Sequence, residues 1–147
     1  MNIEQKKYVL GFALSIDKKK ILLIKKNNPD WQKGLLNGLG GKIELYDNTP
    51  QDAMSREFKE ECGVDIPTNK WKLFNIMDSI YFKMFVFWTM TDDINNFSNT
   101  TDEVVGIYDI ASLYQSSFNQ CVPNLSWLIG MLNDPQLFEM QGKITYG

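Results

Sequence analysis

Residues 56–64 read "REFKEECGV". Five of the nine are charged, and three are glutamates within five positions. At 3.6 residues per turn, Glu57, Glu60 and Glu61 fall at i, i+3 and i+4 and share one helix face. Met54, Phe58 and Cys62 recur every four residues and form an apolar stripe beside it. The punctuation around them fits a helix. Thr49 can cap it, Pro50 suits its first position, and Asp52 lies three past the cap. Gly63 stands where a left-handed stop belongs. The spacing predicts a helix from about residue 50 to residue 62, with one side buried and a triple-carboxylate edge exposed.

An E-x-x-E-E face alone is more often a solvated acidic surface than a site. The flanks change the reading. A Gly40-Gly41-Lys42 turn comes just before the helix, Glu44 lies in the connecting loop, and Arg56 directly precedes Glu57. Crowded carboxylates repel unless a cation joins them, and an oxygen-only set suits Mg²⁺ or Mn²⁺. Such ions bind phosphates and activate water.

Working outward, residues 7–16 place Tyr8, Leu10, Phe12, Leu14 and Ile16 on one side at period two, the pattern of a strand. Residues 21–26 read as its hairpin partner, 27–34 as a loop, and 35–44 as short apolar pieces mixed with glycines. Beyond the helix, 70–77, 81–90 and 104–110 read as strands, 92–103 as a polar loop, and 111–118 and 123–134 as helices. The order predicts a mixed sheet with helices packed on it.

The bulk properties narrow the chemistry. At 147 residues, with 44% hydrophobic residues, the chain fits a single domain with a sizeable core. Its net charge of −3 argues against a large positive field for nucleic acid, though not against a nucleotide or a capped RNA end. There is no histidine, which removes His-based zinc sites, Ser-His-Asp triads and Cys-His dyads together. The two cysteines, and the lack of a signal-peptide pattern or a membrane-length apolar run, fit a reduced cytoplasmic setting without a membrane partner. Oligomeric state leaves no sequence mark.

The segment from Gly41 to Val64 resembles the box of the Nudix hydrolase superfamily, G-x5-E-x7-R-E-U-x-E-E-x-G-U, where U is bulky and apolar. Its second half is complete in Arg56, Glu57, Phe58, Glu60, Glu61, Gly63 and Val64. The resemblance implies an α/β fold, an α/β/α sandwich with a mixed sheet between helices. It implies that Glu57, Glu60 and Glu61 ligate metal together with the Gly41 carbonyl, and that Arg56 orients Glu57. Lys42 either meets a phosphate or faces solvent. The first half of the box carries one extra residue, so its glutamate position falls on Asp47 or Asn48; counting back from the Thr49-Pro50 cap selects Asn48. Glu44 remains as an accessory acid. Many family members add a loop carboxylate outside the box, for which Glu103 is the first candidate and Asp102 the second.

"NGLGGK" (37–42) resembles the stretch in MutT-type enzymes whose asparagine contacts a purine, which places Asn37 in that role or in an Asx turn. Trp31 and Phe12 are candidates to stack on a base or to pack. Asn124 and Trp127 either reach over the pocket or, for Trp127 with Met131 four residues on, belong to the core. The implied activity is Mg²⁺-dependent (or Mn²⁺-dependent) cleavage of a pyrophosphate in a nucleoside diphosphate linked to a group X. A nucleoside triphosphate, with an oxidised purine in view, is the first candidate. ADP-ribose, a nicotinamide dinucleotide, a dinucleoside polyphosphate and an RNA cap share the chemistry. A non-catalytic nucleotide sensor is the alternative from another class, and a structural protein with a chance match a third.

Overall fold

A computed structural model describes residues 4–134 and 142–145. Strand β1 (Lys6–Leu14) is its axis. One edge of β1 runs parallel to β6 (Phe82–Met90) over its whole length, from Lys6 opposite Phe82 to Leu14 opposite Met90. Its other edge is shared. Tyr8 to Gly11 pair with β4 (Leu39–Lys42), and Ala13 and Leu14 pair with β2 (Lys20–Lys25). The expected hairpin of β1 and β2 is therefore only two pairs long. The main partner of β2 is β7 (Val104–Asp109), antiparallel over six residues.

The stretch 35–44 forms two strands. β3 (Leu36–Asn37) pairs with β2, and the chain changes partner at Gly38 before β4 joins β1. Only glycine fits that crossing, because a Cβ on Gly38 would lie 2.9 Å from the Gly11 carbonyl oxygen. On the far side, β5 (Lys72–Asp78) pairs antiparallel with β6 and parallel with β8 (Gly142–Thr145). The sequence reading has no counterpart for β8. It adds to an edge whose partner lies far back in the chain, Asn75 opposite Gly142 and Asp78 opposite Thr145, and four residues carry too short a period to signal it.

Side chains of β1 alternate between two cores. Val9 and Ala13 join Met54, Phe58 and Cys62 of helix α1 (Pro50–Cys62), with Trp71 edge-on to Phe58 at 5.2 Å. Leu10, Phe12 and Leu14 face α2 (Ile110–Gln115) and α3 (Leu125–Asn133). The sheet thus lies between α1 and the α2–α3 pair, in the expected α/β/α arrangement. Ile16 does not continue the period; β1 has ended at Leu14, and Ile16 is exposed in the turn. Helix α1 is punctuated as its sequence predicts. The Thr49 hydroxyl accepts from the Asp52 N–H at 3.1 Å, and Gly63 turns left-handed at φ 77° while its N–H donates to the Lys59 carbonyl. Among the described residues no helix is long and apolar enough to cross a membrane. Cys62 and Cys121 are free and buried, with burial pushing each thiol up to about 11.

Candidate active site

Helix α1 presents its acidic edge toward β4, and Arg56 organises it. Its Nε and Nη2 donate to the two carboxylate oxygens of Asp47 at 2.9 and 2.8 Å, a bidentate pair. Nη1 donates to Glu57 at 2.9 Å and to Glu60 at 3.2 Å, and Nη2 also reaches the Lys42 carbonyl at 3.1 Å. The Tyr46 ring covers the guanidinium at 5.3 Å. The extra residue before the helix is absorbed by a turn in which the Asp47 N–H donates to the Glu44 carbonyl at 3.0 Å and the Glu44 N–H donates back to Asp47 at 2.8 Å. This geometry places Asp47, not Asn48, against Arg56. Asn48 is exposed, so counting back from the cap selects the wrong residue; the turn, which counting cannot see, sets the register. Arg56 holds the Asp47 carboxyl below the usual range, and burial opposes it.

Glu57 and Glu61 are in a different condition. A Cβ on Gly41 would fall 2.5 Å from the Glu57 carboxyl carbon, so only glycine leaves room for that group against β4. Burial raises the Glu57 pKa, while Arg56 pulls it down and Glu60 and Asp47 add to the rise. Glu61 is 8% exposed. One oxygen accepts from the Gly40 N–H at 3.1 Å; the other is buried without a hydrogen-bond partner. Burial pushes the Glu61 carboxyl up to about 8, helped by Glu57 and Glu103 and opposed by Lys26 and the Gly40 N–H. Glu60 is the outer member of the trio, with its side chain 56% exposed.

Among the described residues no three acidic side chains form a closed cation cage. The donor set nevertheless fits a hard divalent ion. It is oxygen-only, it holds an unpartnered buried carboxylate oxygen, and it is open on one side, as suits an ion that keeps water and phosphate in its shell.

Glu103 lies within electrostatic reach of Glu61. Lys26 Nζ donates to one of its oxygens at 3.2 Å and the Asn27 N–H to the other at 2.6 Å. Asp102 contributes its carbonyl, which accepts from the Asn27 amide at 3.1 Å.

A pocket of about 570 Å³ opens beside Gly40 and Gly41. Tyr8, Trp31, Pro29, Tyr81, Phe82 and Met84 give it apolar and aromatic walls, and Lys6, Lys26, Gln32 and Asn37 give it polar points. Trp31 is on this lining. Asn37 is too, and its oxygen accepts from the Gly38 N–H at 2.8 Å while its amide donates to Gln32 at 3.1 Å. That bond reaches the next residue and not the one after it, so it is not an Asx turn, and Asn37 keeps its place on the pocket wall.

Other expected site residues lie elsewhere. Phe12 is fully buried and packs on Phe74 at 6.3 Å, because the period-two face of β1 points into the α2–α3 core; it is not available to a base. Asn124 precedes α3 without a side-chain capping bond, its amide 3.9 Å from the Met77 sulfur, and Trp127 is exposed on α3, so it joins neither core although Met131 packs on one; neither Asn124 nor Trp127 lines the pocket. Lys42 is exposed, and Glu44 is half-buried with its backbone tied to Asp47; neither lines the pocket. Lys26, Tyr81 and Gln32 were not expected. Lys26 read as the tail of a strand, and only the pairing of β2 with β7 reveals what faces it.

The model of the NUDIX domain family matches residues 6–115. No curated protein matches the chain. Among solved structures, a NUDIX hydrolase from Nitrosomonas europaea superimposes with a TM-score of 0.69 at 15% identity, covering 97% of this chain and 80% of that one. A structure described as MutT from Aliivibrio salmonicida and Vibrio cholerae gives 0.63 at 19% identity, over 84% and 94% of the two chains. A bifunctional NMN adenylyltransferase/ADP ribose pyrophosphatase from Francisella tularensis, complexed with AMP and a manganese ion, gives 0.67 at 18% identity, over 88% of this chain. The present chain spans 41% of the Francisella protein's length. At these identities the structural likeness establishes the fold. The family match covers most of the chain, and the chain belongs to the NUDIX domain family.

Proposed function

We propose that this NUDIX protein is a divalent-metal-dependent pyrophosphohydrolase acting on a nucleoside diphosphate linked to X, with a nucleoside triphosphate as the first substrate class. The observation that carries this reading is the buried, unpartnered oxygen of Glu61 one helical turn from Glu57, on a carboxylate whose other oxygen is held by Gly40, a residue of the pocket wall. Glu57, Glu60, Glu61 and the Gly41 carbonyl would hold Mg²⁺ or Mn²⁺. When bound, that ion supplies neutralising charge for the pyrophosphate and acidifies a water. The chain's own groups do the rest. Arg56 holds Glu57 in one orientation, so its carboxylate does not swing away from β4. Trp31 and Tyr81 offer aromatic faces for a base, and Asn37 and Gln32 offer amides for its edge. Glu103 or Glu57 accepts the proton of the attacking water. Water adds to phosphorus, the anhydride P–O bond breaks, and a nucleotide and a phosphate-bearing product leave.

The test is a panel of ordinary and oxidised nucleoside triphosphates, ADP-ribose, NADH, dinucleoside polyphosphates and capped RNA, with Mg²⁺ or Mn²⁺ and with chelator. Cleavage that needs the metal and disappears in Glu57→Gln supports the reading and identifies X. Tight nucleotide binding with no turnover of any member would replace it with a sensor.

A further inference from the structure

We propose that Lys26 is a positioning residue that clamps Glu103 at the edge of the acidic site. The inference rests on the reading above for what Glu103 does, but the clamp itself stands on geometry. β2 and β7 run antiparallel, and their last paired residues are Lys25 and Val104. One step further, the register sets Lys26 opposite Glu103. The Lys26 backbone is pinned there, its N–H donating to the Leu35 carbonyl at 2.9 Å and its carbonyl accepting from Gly34 at 2.8 Å. From this fixed base Nζ reaches one Glu103 oxygen at 3.2 Å, while the Asn27 N–H holds the other at 2.6 Å.

With both oxygens held, the carboxylate has one orientation. Removing the ammonium would leave it free to turn about the Asn27 contact. The pair differs from a solvated surface ion pair, because the two side chains are only 19% and 14% exposed. Lys26 also lines the pocket alongside Gly40 and Gly41, and both Lys26 and Glu103 act on Glu61 through space. The clamp therefore sits where a proton acceptor for the attacking water has to be aimed. A lysine in this position has a second possible use, as a direct contact to substrate phosphate, and kinetics separate the two.

The experiment compares Lys26→Met, Lys26→Arg and Glu103→Gln, with the Lys26→Met/Glu103→Gln double variant. Clamping predicts that K26M lowers kcat about 10²-fold, the scale of a misplaced catalytic group, with KM within about threefold. K26R restores most of the rate. In the Glu103→Gln background K26M adds less than about twofold, because the group it aims is gone. A rise in KM with kcat unchanged, or a full K26M effect on top of E103Q, overturns the proposal and assigns Lys26 to the substrate. Hydrogen exchange at the Asn27 amide reads the clamp without activity. K26M should exchange there about tenfold faster than the wild-type protein, and K26R should not. Unchanged protection in K26M overturns the clamp. Should K26M not fold, Lys26→Gln carries the same predictions. A wild-type protein that cleaves nothing overturns the proposed activity, and the exchange result still decides the clamp.

Discussion

Asp47 and Glu61 are both nearly buried, and their surroundings treat them in opposite ways. Asp47, with its side chain 4% exposed, has two charged donors from Arg56 and the Glu44 N–H, and its pKa is lowered. Glu61 has one backbone donor and an idle oxygen, and its pKa rises to about 8. The first region is finished: every strong acceptor has a partner, and the arrangement holds helix, loop and strand together. The second is unfinished. A buried carboxylate left unpaired is a cost that a folded protein carries when something else supplies the partner. The difference separates the half of the acidic cluster that builds the site from the half that uses it.

Substitutions can break that contrast, and the largest effect belongs to the unfinished half. Glu61→Gln should lower turnover about 10³-fold, because a transition-state charge partner is lost, while the metal-free fold becomes no less stable. Loss of fold together with loss of rate would place Glu61 in the finished half. Next comes Arg56→Ala, which strands a buried Asp47. It should lower stability by about 3 kcal/mol in chemical denaturation, and by much less when Asp47→Asn is already present. Equal effects in both backgrounds would mean that Asp47 is not its main partner.

The two regions should also answer pH in opposite directions. For Glu61 the folded pKa, about 8, exceeds the reference value of 4.5. Its contribution is fully present below 4.5 and is lost as pH rises toward 8. With chelator present, stability should therefore fall across that window by on the order of 4 kcal/mol, and Glu61→Gln should remove most of the slope. Glu57, also raised, acts in the same direction. For Asp47 the folded pKa lies below 3.8, so its contribution is present above 3.8 and is lost as pH falls through the lowered value. A metal-free stability that stays level from pH 4.5 to 8 would contradict the burial of Glu61. The smallest effect is expected at Trp127→Ala, on the exposed side of α3. Stability should fall by about 1 kcal/mol, because part of the indole is covered, and KM should not move; a raised KM would bring α3 to the pocket after all.

The finished and unfinished regions were not equally legible in the sequence. The acidic helix was readable because its signals are local: a cap, a stop, an apolar stripe and three glutamates at fixed spacing. The period of β1 marks a strand, and the α/β/α sandwich comes with the family resemblance. What escaped depends on pairing between distant segments. Asp47 meets Arg56 because a turn takes up an extra residue, and the cap, counted backward, points to Asn48. Lys26 meets Glu103 through the β2–β7 register, which no window of sequence contains. The change of partner at Gly38 and the strand β8 have the same non-local origin. Residue type alone does not place Phe12, Asn124 or Trp127: aromatic and amide chemistry that suits a base also suits a core, as at Phe12, a helix end, as at Asn124, or an exposed helix face, as at Trp127. Their positions relative to the pocket are set by how α3 and β1 pack.

The most direct test of the account is whether the idle oxygen of Glu61 belongs to a cation. Mn²⁺ binding followed by electron paramagnetic resonance at pH 8, without nucleotide, compares the wild-type protein with Glu61→Gln. The account predicts saturable binding in the wild type and an affinity at least about 10²-fold weaker in the variant. Equal binding by the two proteins would contradict it and leave Glu61 as a buried acid with no ligand to explain it.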